Sequence, residues 1–581
     1  MTQITIPTDL DATRVANIEP IFRELQDREI ASADDLERWI LDRSELTAAC
    51  SEALANLYIS MTCDTDDEQA AGAYRNFIEQ VEPRIKPMEF RLDRRQVELT
   101  QRFELDRERY FVLIRDTAVD VELFRDENVS LQTELATLAQ DYQTITGAMT
   151  VEFDGAERTL PQMARYLEDT DRSVRESAWQ AVADRRARDI DRIDTIYDAM
   201  IALRLKVASN AGFENYVGYA FRSMRRFDYT PADCRSFHDA CERCVAPFMK
   251  RRDVDRLSAL GVDELRPWDI DVDPLGREPL RPFSGGAELV ARAHAVFARL
   301  DPRLAEMFAS LGDGSTAHGS RNGAKLDLDS RKGKAPGGYL YMRDRIREPF
   351  IFMNAAGLHR DVETMVHESG HAFHSILCRG DPLVHYRDYP TEFAEVASMS
   401  MELLTMPYWG GTGDAFYPDE ADAARARRKH LEGTVSVLAW IATIDAFQHW
   451  IYENPTHSRH ERTQHWRSLM TRFGARGHFL SWQCLESHLD VLWQRQGHLF
   501  GSPFYYIEYG IAQLGALQLW LRSLQDGEPA AITHYLNALR LGGSRPLPEL
   551  FAAANLAFDF GPETVERWID RVELELAKLP T

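Results

Sequence analysis

The chain reads as a mainly α protein in two lobes, with a small β-sheet beside one helix, and three observations carry that reading. Helical periodicity fills long stretches: in DRSVRESAWQAVADRRARDIDRIDTIYDAMIALRL, starting at Asp171, apolar residues recur every three or four positions among charges. Helix punctuation agrees, because Thr230-Pro231 opens the segment holding Cys234 and Asn210-Ala211-Gly212 closes the one before it. Strand character is confined to two places. TVEFDGAERT, 150–159, is a strand, an Asp154-Gly155 turn and a returning strand. KLDLDSRKGKAPGGYLYMRDRIREPFIFMN, 325–354, has alternating or wholly apolar runs separated by Gly- and Pro-containing turns, which predicts a small sheet just before the motif HESGH.

At 581 residues the chain exceeds one ordinary domain. A soft boundary near Lys206 divides an N-terminal helical lobe with the hairpin, 1–205, from a C-terminal region, 206–581. No Ser/Gly linker marks it, so the lobes should share an interface. All 17 histidines lie at or after His238, so imidazole chemistry belongs to the C-terminal region. A formal net charge of −24 argues against nucleic acid or an anionic membrane as partner. The start, MTQITIPTDLDATR, lacks the basic residues and apolar run of a secretion signal. VSVLAWIATI, 435–444, is too short to span a bilayer and meets Asp445, so it reads as a buried helix. Seven sparsely spaced cysteines fit free thiols in a reducing compartment, and the expected location is cytoplasmic.

The chemistry concentrates in DVETMVHESGHAFHS, 361–375. On a helix His367 and His371 stand one turn apart on one face, within reach of a single ion, and Glu368 sits beside them. Two neutral imidazoles anchor Zn²⁺, and a neighbouring carboxylate can take a proton from water. Val362, Met365, Val366, Phe373, Ile376 and Leu377 fall on the opposite side, so the helix has a separate face to bury. The bare pattern also occurs by chance on surface helices, and a third ligand is needed to decide. The metzincin spacing wants glycine at 374 and histidine at 377; His374 and Leu377 stand there instead. A helix at PTEFAEVASMSMELL, 390–404, offers Glu395 and Glu402 on nearly one face, two turns apart.

HESGH followed about two dozen residues later by FAEVASMSMEL resembles the oligoendopeptidase F and thimet oligopeptidase family of zinc peptidases. HYRDYPTEFAEVAS, LRPWDID at 265–271, HLFGSPFYYIEYG at 498–510 and VEFDGAERTLPQMARYLEDTDRSVRESAW agree, the last with the oligoendopeptidase F branch. The resemblance implies one zinc ion on His367, His371 and Glu395, with Glu368 as general base; Glu392, one turn earlier on the same helix, is the competing carboxylate and is expected to be a solvated first-turn residue favoured by the helix dipole. It also implies a deep channel between two helical lobes that admits short unfolded peptides, and a group from His498, Tyr505, Tyr506 and Tyr509 that closes on the substrate. Glu363, four residues before His367, and Glu402 are candidate acceptors for ligand imidazole N–H groups. The strand EPFIFMN, with Phe350 and Phe352, offers an edge for an extended peptide, and Gly337 and Gly338 lie in a neighbouring turn or loop.

Cys234, His238, Cys241 and Cys244 lie along one stripe of a single helix, which cannot wrap four ligands around one ion, so they read as a thiol-lined core face. His374 reads as a cleft residue or a support to the ligands. The competing functions are an exopeptidase, such as a dipeptidyl carboxypeptidase, and a non-catalytic zinc-containing protein that binds peptides.

Overall fold

The computed structural model describes residues 6–314, 325–411 and 413–580. Helices dominate, from Val15–Asp27 to Pro562–Leu576. The strands are β1 (Thr150–Phe153), β2 (Ala156–Thr159), β3 (Leu326–Asp329), β4 (Tyr339–Arg343) and β5 (Glu348–Ala355). β1 and β2 form the antiparallel hairpin, turned at Asp154 and Gly155, which both hold positive φ (51° and 71°). Two left-handed residues match the right-handed twist of the flanking strands, so Asp-Gly is the natural turn pair here.

The second sheet has the order β3-β5-β4, with β3 parallel and β4 antiparallel to β5. EPFIFMN is therefore the central strand, and the expectation that it offers an open edge is corrected. Its backbone is committed on both sides, and Phe350 and Phe352 are fully buried with Ile59, Cys63 and Ala335. An edge belongs to β4 instead. The GKAPGGY turn is pinned: Lys334 Nζ is buried and donates to Asp327 Oδ1 (2.9 Å), the carbonyls of Asp327 and Asp329, and that of Met353. Asn354 Nδ2 donates to the carbonyls of Ala335 and Gly337, both at 2.8 Å.

Two main cores form. One gathers residues from Ile6 to Leu113 together with Leu383 and Tyr386; the larger runs from Tyr142 to Leu576. The expected boundary at 205/206 falls inside the continuous helix Ile190–Asn210, whose Ile193, Tyr197, Met200 and Ile201 pack into the larger core. A helix whose buried face is unbroken does not itself mark a break between lobes. Arg109 ties the N-terminal residues to the segment 381–386 through a forked pair with Asp381 (2.7 and 2.8 Å), and the Tyr386 hydroxyl donates to the carbonyl of Arg109 (2.5 Å).

Cys234, His238 and Cys241 are buried and Cys244 partly so, as a thiol-lined face should be. Among the described residues no helix is long and apolar enough to cross a membrane. VSVLAWIATI lies within the helix Glu420–Glu453, and nearly all of it is buried.

Candidate metal centre and active-site cleft

The helix His359–Cys378 carries HESGH, and Val362, Met365, Val366 and Phe373 bury its back completely. Ile376 and Leu377 are only partly buried. The helix Thr391–Thr405 crosses close to it, and Gly370 makes that approach possible. A Cβ there would stand 2.5 Å from both the Ala397 carbonyl oxygen and Ser398 Cα, inside any permitted contact. Gly515 serves likewise where the helix Tyr506–Asp526 meets Val396.

This close approach brings Glu395 to the histidines. Glu395 Oε2 is 3.2 Å from His367 Nε2 and 3.5 Å from His371 Nε2. The three donor atoms lie within 4.8 Å of one another, a spacing that suits one ion. Glu402 Oε1 stands 2.7 Å from His367 Nδ1, which leaves Nε2 free to bind metal. Burial alone would lower the His367 pKa, but the carboxylates of Glu395 and Glu402 outweigh it and raise it well above 6.5. Glu395 is held well below its ordinary value: burial pushes it up, and the imidazoles of His371 and His367 more than offset that. Such a tight cationic and anionic set is what a divalent ion replaces when it displaces ring protons.

Glu368 is 5% exposed, and its Oε2 is buried without a hydrogen-bond partner. Burial raises its pKa, which suits a group that must accept a proton. A Cβ on Gly338 would meet Glu368 Oε1 at 3.4 Å, so the turn before β4 runs beside Glu368. Gly337 adopts φ +101°, a conformation that favours glycine.

A cleft of about 960 Å³ opens over these residues. Its walls comprise N-terminal residues such as Arg43, Lys86 and Asp93, the edge Gly338–Met342, the centre itself, and His498, Ser502, Tyr505 and Tyr509. The Tyr505 hydroxyl donates to Glu395 Oε1 at 2.6 Å, and the Tyr509 hydroxyl is 3.2 Å from His498 Nε2. Tyr506 does not line the cleft; its hydroxyl faces Trp440 and Gln496. Burial keeps Tyr505 and Tyr509 well above pKa 10, so both remain hydrogen-bond donors, and it lowers His498 to about 4, so that ring is neutral.

Buried arginines fix this segment. Arg204 donates to the carbonyls of Leu499 (2.8 Å) and Phe500 (2.5 Å). Arg226 donates to the Phe504 carbonyl and to Glu508 Oε1, while Gln448 Oε1 accepts from Phe504 N. Phe504 holds φ +66°, strained for a bulky residue, and its clamped backbone turns the chain so that Tyr505 enters the cleft. Sequence reasoning missed Arg204, Arg226 and Gln448, because they act through backbone groups that no motif displays.

Three further positions differ from expectation. Glu363 does not reach His367; its Oε1 pairs with His430 Nδ1 (2.8 Å) and His359 Nε2 (3.4 Å). Glu392 is not solvated: it is 5% exposed and accepts from the Tyr229 hydroxyl at 2.7 Å. His374 lies outside the cleft, fully buried and stacked on Tyr389 at 3.5 Å, because its place on the helix faces the packed interior. A second group with ion-binding spacing, Cys234, Asp445 and His449, lies in the core, where Asp445 Oδ2 is already bracketed by His238 (2.8 Å) and His449 (3.5 Å).

Comparison with known proteins agrees with this geometry. The chain matches the profile of Peptidase family M3 over residues 165–564 and of the Peptidase M3 N-terminal domain over residues 9–124. It is 24% identical to Oligopeptidase PepF of Bacillus subtilis over 245 residues, 42% of this chain and 35% of that protein. It is 21% identical to Group B oligopeptidase PepB of Streptococcus agalactiae over 392 residues, 67% of this chain and 61% of that protein. The matched stretches thus span less than two thirds of either relative. Among solved structures it superposes on PZ peptidase A with an inhibitor at TM-score 0.88 and 26% identity, covering 97% of this chain and 98% of that one. A candidate oligoendopeptidase F gives TM-score 0.89 and 28% identity, with 97% of each chain covered.

Proposed function

Because the chain belongs to peptidase family M3, we propose that it is a zinc-dependent oligoendopeptidase that hydrolyses peptide bonds in short, unfolded peptides of the cytoplasm. One observation carries the reading: two imidazole Nε2 atoms and a carboxylate oxygen converge beside a buried carboxylate with an unpartnered oxygen, on the wall of a large cleft. His367, His371 and Glu395 would hold the ion, a donor set of nitrogen and oxygen that suits zinc. When bound, zinc acidifies water and polarises a carbonyl.

The chain's own residues supply the rest. Glu368 takes the proton from the attacking water at its carboxylate and passes it to the nitrogen of the leaving amine. Tyr505 and Tyr509, kept protonated by burial, can donate hydrogen bonds to the oxygen that gains negative charge, Tyr505 by giving up its contact with Glu395, with His498 beside them. The edge strand β4, Tyr339–Arg343, lies where an extended substrate can pair with backbone groups, which tolerates many sequences. A cleft of about 960 Å³ suits short unfolded peptides better than folded chains.

The test is cleavage of a short, internally quenched peptide blocked at both ends, with and without a zinc chelator, by the wild type and Glu368→Gln. Chelator-sensitive internal cleavage that the substitution removes supports the proposal. Zinc-replete protein that cleaves only peptides with a free terminus would show an exopeptidase, and one that binds peptides without cleaving any would show a binding protein.

A further inference from the structure

Trp440, Gln496 and His498 form a directed hydrogen-bond chain that ends in the cleft. The indole Nε1–H of Trp440 can only donate, and it reaches Gln496 Oε1 at 3.0 Å. That settles which way the carboxamide points, so Gln496 Nε2 is the atom 2.8 Å from His498 Nδ1. An amide NH₂ only donates; Nδ1 must therefore accept, and the ring hydrogen belongs on Nε2. The Tyr506 hydroxyl lies beside both Trp440 and Gln496. His498 Nε2 points to the Tyr509 hydroxyl, 3.2 Å away, on the wall shared with Tyr505. With the ring neutral, as its burial dictates, the tautomer decides which nitrogen presents a hydrogen.

We propose that Gln496 is a positioning residue that, anchored by Trp440, fixes His498 as the Nε2–H tautomer, so that Nε2–H donates to the Tyr509 hydroxyl oxygen and leaves the Tyr509 O–H free to donate to the oxyanion. The role in catalysis rests on the peptidase reading above; the tautomer does not. A glutamate at 496 would accept from Nδ1–H rather than donate to Nδ1, moving the ring hydrogen to Nδ1 and leaving Nε2 bare.

The experiment is nitrogen NMR of zinc-loaded protein labelled at histidine, near pH 8, above the ordinary histidine value of about 6.5. The His498 resonances are identified by their loss in His498→Gln. In the wild type Nε2 should be protonated and Nδ1 not, and Gln496→Glu should reverse them. Gln496→Glu should lower kcat by about 10- to 100-fold with KM little changed, in line with partial loss of an oxyanion donor, and should add little in the His498→Gln background. Trp440→Phe, which frees the carboxamide to rotate, should give a smaller effect of the same kind and serves if Gln496→Glu does not fold. A wild-type ring protonated at Nδ1 would overturn the proposal, as would an equal loss of kcat in both backgrounds. A correct tautomer in a protein that cleaves nothing would leave the positioning intact and overturn the peptidase reading instead.

Discussion

Glu402 Oε1 lies 2.7 Å from His367 Nδ1, an acceptor on one helix holding a ring of the candidate metal centre on another. The contact orients the imidazole and makes it more basic, so Glu402→Ala should weaken zinc binding by about 10- to 100-fold. Competition with a chromogenic chelator measures this. Glu363→Ala should leave the affinity close to wild type, because that carboxylate pairs with His430 and not with a ligand.

Glu368 and Glu395 should separate catalysis from binding. Glu368→Gln keeps the shape of the site but cannot accept a proton, and kcat should fall by about 10²- to 10⁴-fold with zinc retained. Glu395→Ala removes the proposed third ligand, and metal analysis after dialysis should find the ion largely lost. Zinc-replete Glu395→Ala protein would contradict the ligand assignment.

The tyrosines should divide by where their hydroxyls point. Tyr505→Phe, which removes the group that reaches Glu395 at 2.6 Å, should lower kcat by about 10²- to 10³-fold with a small change in KM. Tyr506→Phe should cost less, since Tyr506 does not line the cleft. Steady-state kinetics on a quenched peptide reads both.

Gly370→Ala tests the helix crossing. The added Cβ would meet Ala397 and Ser398 backbone at 2.5 Å. The helices must part, which should cost about 1–3 kcal/mol and draw Glu395 away from the histidines. Thermal unfolding should show the loss of stability, and zinc affinity should fall with it.

Asp445 sets an acid limb of stability. Burial pushes its carboxyl up, but the imidazoles of His449 and His238 outweigh this and hold it well below its ordinary 3.8. A carboxylate depressed on folding contributes stability that is complete above the unfolded value and is lost as the pH falls toward the folded one. The unfolding temperature should therefore drop increasingly as the pH falls below about 4, with a shallower slope in Asp445→Asn. An unchanged slope would show that other carboxylates carry the acid transition.

The sequence by itself determined what short-range rules govern. Helical periodicity, the Asp154-Gly155 hairpin and the one-turn spacing of His367 and His371 are set by neighbours along the chain, and the structure places each where those rules put it. Glu395 was legible through its helix and the family resemblance, and it does lie beside both histidines. What depends on residues far apart in the chain was not legible. Strand order made EPFIFMN central and moved an edge to β4, because pairing partners carry no local signal. Glu363 and Glu402 look alike as spacings; only the crossing at Gly370 and the neighbouring His430 sent one toward a ligand histidine and the other away. The tyrosine segment displays four polar aromatic groups, and the tertiary structure chose among them: buried arginines grip backbone carbonyls, Phe504 is held left-handed, and the Trp440–Gln496 pair orients the ring that faces the cleft.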